Sequence, residues 1–381
     1  MENETSLKVL SEETNKDFNL NNLKKLDKNT NLVKPARESG LELLRIIAML
    51  MIILHHVILY TGFNITSEGV FKLANVLKNG GKLGVDIFVL ISAYFMVNKN
   101  FKLSRVLNIF FQTWFYSVVI YLIFLISGTI QFDLKMLFQA IFPLIYGEYG
   151  FVTSYVMLLF LSPWLNLIIK NINKNFYKIG LFFLLVLIVL FPYFNKLILK
   201  QFIEFPNINM LVWFVVLYFV AGYIRLYKIK VNKLILVIFL ALFVLFQVIY
   251  AIKFDNRESY YNYAFGNISI SITLFLIFKD FKFRSKIINI IASTTFGIFL
   301  IHENSAIRNW WWSKLFGWLG ASYQMFVGIC LLMMLITFII CMVIDLIRIN
   351  TVHRLTKKLL VKIDKIEEKI KVKYQEKENG K

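Results

Sequence analysis

The sequence predicts an all-α, polytopic integral membrane protein with about ten transmembrane helices and both termini in the cytosol. Three observations carry that expectation. Hydrophobic residues make up 58% of 381 positions, with 38 phenylalanines, and mean hydropathy is +0.64. Apolar runs long enough to span a bilayer recur along most of the chain. The 43 Lys and Arg are also unevenly placed. With ten spans, 32 of them fall in the arms and loops of the terminal side and 10 in the opposite loops. That threefold bias is the positive-inside pattern. It also explains the net charge of +20 without a nucleic-acid partner, since the anionic inner leaflet attracts the same residues.

Residues 1–40 are polar and lack an apolar stretch with a small-residue cleavage site, so they read as a disordered cytosolic arm rather than a signal peptide. The membrane domain is expected over 41–348. Its spans fall at about 42–61, 83–97, 106–127, 151–169, 176–194, 208–224, 234–252, 264–278, 287–302 and 323–347. The second and eighth are short. The stretch 136–145 is too short to cross and reads as re-entrant or interfacial. Trp310-Trp311-Trp312 suit an aromatic belt at the outer surface. Residues 349–381 alternate Lys and Glu, as a short solvated or surface-lying helix does. Cys330 and Cys341 are too far apart along one helix for a disulfide, and neither zinc spacing nor an internal repeat is visible.

Polar residues within these apolar runs are the candidates for chemistry. Arg45 and His56 are eleven residues apart, about three helical turns or roughly 16 Å on one face. An Arg at membrane depth costs on the order of 3 kcal/mol, so it persists mainly where it lines a working cavity; the alternative is a cation that snorkels to the interface. Glu42 lies three residues before Arg45 and can pair with it. His55 is rotated about 100° from His56 and reads as structural. Asp86 begins the second span at a depth close to that of His56, with a helix cap as the alternative. His302 and Glu303 end the ninth span. His56, Asp86, His302 and Glu303 are thus expected to converge near the outer surface, with Arg45 toward the inner one. A histidine beside a carboxylate can take a hydroxyl proton near neutral pH, and Arg suits phosphate or a polarised carbonyl. Ser92 reads as a packing residue and His353 as solvated.

Three motifs in order resemble the acyltransferase-3 family of integral membrane O-acyltransferases. They are Glu42-Leu43-Leu44-Arg45 followed by His56, Gly84-Val85-Asp86 running to Tyr94, and Thr295-Phe296-Gly297 running to His302. The resemblance covers about 40–347. It implies transfer of an acyl group, most often acetyl from acetyl-CoA, to a hydroxyl of an envelope polysaccharide or related glycan, by a multi-pass protein of a bacterial plasma membrane. The family's motif Arg and His map onto Arg45 and His56. Gly150-Phe151-Val152-Thr153-Ser154-Tyr155 resembles a further segment that usually opens with Trp. Gly150 departs from that pattern, which weakens the transfer of a role to Tyr155. No bound cofactor or metal is expected, only acyl-CoA as donor substrate. An added extracytoplasmic esterase-like domain after the tenth span is not expected. The competing classes are a lipid-linked glycan flippase and a glycan polymerase. The missing repeats argue against the first, and the absence of a large loop argues against the second.

Overall fold

The computed structural model describes residues 38–61, 67–190, 210–253, 265–315 and 323–379. Among them all regular structure is helical: α1 (Gly40–Tyr60), α2 (Glu68–Met96), α3 (Leu103–Ile126), α4 (Leu134–Ile141), α5 (Gly150–Asn171), α6 (Lys174–Leu185, prolonged by a π turn, Val186–Leu190), α7 (Met210–Leu226), α8 (Lys233–Lys253), α9 (Phe265–Lys279), α10 (Lys286–His302), α11 (Ser305–Arg308, followed by a π turn, Asn309–Leu315), α12 (Tyr323–Asn350) and α13 (Val352–Asn379). The described part of each of the ten apolar stretches falls on one of these helices, while 191–194, 208–209 and 264 lie outside the described residues. Five helices (α1, α3, α5, α8 and α12) are long and apolar enough to cross a membrane, and α10 with the segment after it makes a sixth, bent by 72°.

The outer faces of these helices are apolar. Leu234, Ile238, Leu242 and Leu245 on α8, and Leu332, Ile339 and Ile347 on α12, are exposed. Water would penalise that surface and hydrocarbon would not. The middle of the fold is α1, which packs on α2, α9, α10 and α12, while α2 also meets α7, α8 and α9. The α1–α2 contact is close because Gly80 and Gly84 form a small-xxx-small pair. A Cβ on Gly84 would lie 2.6 Å from the Ala48 carbonyl oxygen and 2.7 Å from Ile52 Cγ1.

Four expectations change. The second span is not short: α2 begins at Glu68, so most of the predicted loop 62–82 is helix. Lys72, Lys78, Lys82 and the Gly80-Gly81 pair conceal an apolar edge in which Val70 and Ala74 are buried. The Trp triplet is not a belt. Trp312 is fully buried, Trp311 donates its indole N–H to Thr337 Oγ1 at 3.0 Å, and Trp310 alone is exposed. The tail forms a helix of 28 residues rather than a short one. It docks on the start of α3, where the Leu103 N–H bonds Glu367 Oε2 at 3.2 Å. Ser39 and Gly40 belong to the fold rather than to the arm, since the Ser39 N–H bonds the Phe283 carbonyl at 2.9 Å and α1 starts at Gly40. The rest of the arm, residues 1–37, lies outside the described residues. Residues 136–141 of the stretch 136–145 lie in surface helix α4, capped by Asp133, whose carboxylate accepts from the Met136 N–H, and the rest is turn.

Candidate active site

The site is a column of three layers between α1, α2, α5 and α10. On α1 the stripe Arg45, Met49, Ile52, His56 follows the spacing i, i+4, i+7, i+11, so it faces one direction. On α10 Phe296, Phe299 and His302 repeat every three residues. Val85, Phe88 and Ser92 on α2 and Phe151 and Tyr155 on α5 complete the wall.

The first layer holds the cation. Arg45 Nη1 bonds both oxygens of Glu42, at 3.1 and 3.0 Å. Glu42 is buried, and the pair holds the guanidinium against α1. Tyr155 is hydrogen-bonded to Ser92, with Arg45 and Arg105 as its neighbouring positive charges.

The middle layer is wholly apolar. Met49, Ile52, Val85, Phe88, Phe151, Phe296 and Phe299 line a narrow, partly open pocket of about 20 Å³. Phe151 packs edge-on against Phe299, with ring centroids 5.2 Å apart.

The third layer holds the histidines. His56 Nδ1 lies 3.0 Å from His302 Nε2 and 3.2 Å from Glu303 Oε2. His302 Nδ1 lies 2.6 Å from the Ile298 carbonyl oxygen. A carbonyl only accepts, so His302 carries its proton on Nδ1, and in the neutral ring Nε2 must accept. His56 therefore donates from Nδ1, and its Nε2 keeps the free lone pair. Glu303 is held in turn. Its Oε1 accepts from Tyr60 at 3.3 Å and from Arg308 Nη1 at 3.2 Å. Tyr60 stacks on His56 at 5.3 Å, and Arg308 sits over the Tyr60 ring at 4.9 Å. The chain turns after His302 because Asn304 caps the next helix, accepting from Ala306 N–H, and Glu148 accepts from Ser305 N–H at 2.7 Å. Asn304 also donates to Tyr149, whose hydroxyl reaches the Leu300 carbonyl. Glu148, Tyr149 and Asn304 thus fix the bend that brings Glu303 to His56. Beyond His302 a cleft of about 330 Å³ runs along α3 and α12, lined by Phe124, Ser127, Thr129, Trp310, Thr337 and Cys341 among others.

Asp86 is not in this cluster. It is buried in the middle of α2 and accepts from Trp213 Nε1 at 2.7 Å. It neither caps a helix nor shares the depth of His56. In the antiparallel α1–α2 pair, Gly81 meets His55 and Gly84 meets Ala48 and Ile52, which puts Asp86 some two turns deeper than His56. The expected depth came from starting the helix at 83 rather than 68. His55 turns away from the site, with Nδ1 2.6 Å from the Lys78 carbonyl oxygen. The sequence reading missed Tyr60 and Arg308, although Tyr60 lies four residues after His56 and Arg308 five after Glu303. It also passed over Asp345, fully buried in α12, which accepts from Tyr116 and from Arg348 Nε, both at 2.7 Å.

His56, His302 and Glu303 also offer ligand atoms within 4.8 Å of one another, enough for one small cation. The His56 Nδ1 proton goes to His302 Nε2, and Glu303 Oε2, 3.2 Å away, is buried without a hydrogen-bond donor, so it stands ready to offset charge on the His56 ring.

The sequence model of the acyltransferase-3 family, described as an acyltransferase domain, matches residues 38–346. The chain belongs to the acyltransferase-3 family. It is a membrane acyltransferase, and the matched segment contains all three layers of the column. No curated protein and no solved structure matches the chain.

Proposed function

We propose that this acyltransferase-3 protein is an O-acetyltransferase that moves acetyl from cytosolic acetyl-CoA to a hydroxyl of an envelope polysaccharide or related glycan. The ten-span topology with both termini cytosolic is part of this proposal, as is a bacterial plasma-membrane location. The cytosolic placement of the segments before α1 and after α12 is part of it too. The observation that carries the reading is the His56–His302–Glu303 cluster, which leaves His56 Nε2 as a free base at the opposite end of one helical stripe from Arg45.

In this reading the donor enters from the Arg45 end, where a fixed guanidinium suits phosphate oxygens or the thioester carbonyl. The acceptor reaches the His56 end, beside the wide cleft. His56 Nε2 takes the proton of the acceptor hydroxyl as its oxygen attacks the thioester carbonyl carbon. A C–O bond forms, the C–S bond breaks, and the CoA thiolate leaves. The proton held by His56 then passes to that thiolate, so the ring returns to neutral. Glu303 and His302 fix the His56 tautomer, and Glu303 stabilises the transient imidazolium.

The experiment supplies purified protein in lipid nanodiscs with radiolabelled acetyl-CoA and a cell-envelope polysaccharide extract. Label is expected in the polysaccharide, with equimolar free CoA thiol. Unlabelled polysaccharide and intact thioester would overturn the reading.

A further inference from the structure

The middle layer of the column has a feature that the acyl-transfer reading does not use. Arg45 and His56 are separated by about three turns of α1 that present only Met49 and Ile52 to the column. Val85, Phe88, Phe151, Phe296 and Phe299 line the other sides of a narrow, partly open pocket of about 20 Å³. Nothing polar lines it. One water-sized group needs roughly 10–15 Å³, so the cavity has room for about one methyl group. The wall is also braced. Phe151 contacts Phe299 at 5.2 Å and Phe214 at 5.7 Å, and lies parallel to Tyr155 at 6.0 Å. Met49 and Phe299 are buried, so an occupant cannot enlarge the space without moving rings that are packed on both faces.

We infer that this layer is an acyl-size filter: the acyl end of the donor occupies it on the way from Arg45 to His56, and its volume restricts transfer to acetyl. The inference rests on the proposed use of a cytosolic acyl-CoA. It adds the residues that set chain length: Met49, Val85, Phe88, Phe151, Phe296 and Phe299. The occupant is an acyl group rather than a polar moiety because burying polar atoms here would leave them without partners. It is a short one because each added methylene must displace packed aromatic carbon.

The test measures thiol release from acetyl-, propionyl-, butyryl- and hexanoyl-CoA by the purified full-length protein with the same polysaccharide extract. The wild type is expected to lose about tenfold or more in kcat/KM at each methylene step beyond acetyl. Phe296→Ala and Met49→Ala enlarge the cavity from two different helices and should raise the butyryl-to-acetyl ratio by about 10–200-fold. Val85→Ile adds one methylene to the wall and should lower the propionyl-to-acetyl ratio, which keeps the test decisive if a truncated variant does not fold. Two results overturn the inference while leaving acetyl transfer standing: a wild type that uses butyryl-CoA as well as acetyl-CoA, or active variants whose ratios stay at the wild-type value. A wild type that releases thiol from no acyl-CoA removes the underlying reading instead, and the filter with it.

Discussion

At the scale of single residues, the neighbours of His56 set its role. His302 is locked by a carbonyl, so it can only accept from His56, and that fixes which His56 nitrogen is bare. Glu303 is the carboxylate within reach, and Asp86 is the one that is not. Glu303→Gln should therefore lower kcat by at least about tenfold and displace the activity–pH curve, because it removes the negative charge that stabilises the imidazolium. Asp86→Asn keeps an acceptor for Trp213 and should leave the curve where it is. Initial rates across pH for both purified variants decide this; a displaced curve for Asp86→Asn with an unmoved one for Glu303→Gln reverses the two roles. The Arg45–His56 stripe was legible because eleven residues is close to a whole number of turns and nothing else polar interrupts the run on that face. His302 and Glu303 were legible as polar residues at the end of an apolar span. The misplacement of Asp86 had a different origin. Depth in a helix pair depends on where the helix begins and how it registers against its neighbour, and three lysines hid the true start of α2. Asp345 was overlooked for a simpler reason: its partners, Tyr116 and Arg348, come from another helix and from the end of its own.

At the scale of elements, the column depends on how closely α1 and α2 approach. Gly84 opens the Gly-Val-Asp motif, and its role is packing: no Cβ fits against the Ala48 carbonyl. Gly84→Ala should cost about 1–3 kcal/mol through overpacking, read as a lower midpoint of thermal unfolding in detergent. Gly150→Ala is the matching control, since nothing lies within 4 Å of a Cβ there. It should leave the midpoint unchanged. Equal midpoints for Gly84→Ala and wild type would mean that the two helices have slack and that the layer between Arg45 and His56 is not held by this contact. The helix inventory was largely legible, because long apolar runs declare themselves whatever surrounds them. Helix ends were not. The bend after His302 rests on Asn304 and Glu148, a cap and a contact across more than 150 residues of sequence, which no local pattern encodes.

For the molecule as described, helices with apolar outer faces hold a column whose two polar ends differ in chemistry. The cation end is fixed by Glu42, the histidine end by Glu303 and the α10 bend, and a tight apolar layer separates them. That separation suits a reaction whose substrates meet from opposite sides. The measurement that tests the central assignment most directly is acetyl transfer by purified His56→Ala beside His55→Ala. His56→Ala should lose roughly 10²–10⁴ in rate, the contribution of a general base, while remaining folded by size-exclusion chromatography. His55→Ala should keep most of its activity, since its ring is held by the Lys78 carbonyl and packs on Gly81 of α2, edge-on to His56 rather than in the column. Near wild-type transfer by folded His56→Ala would contradict the assignment of His56 as the base.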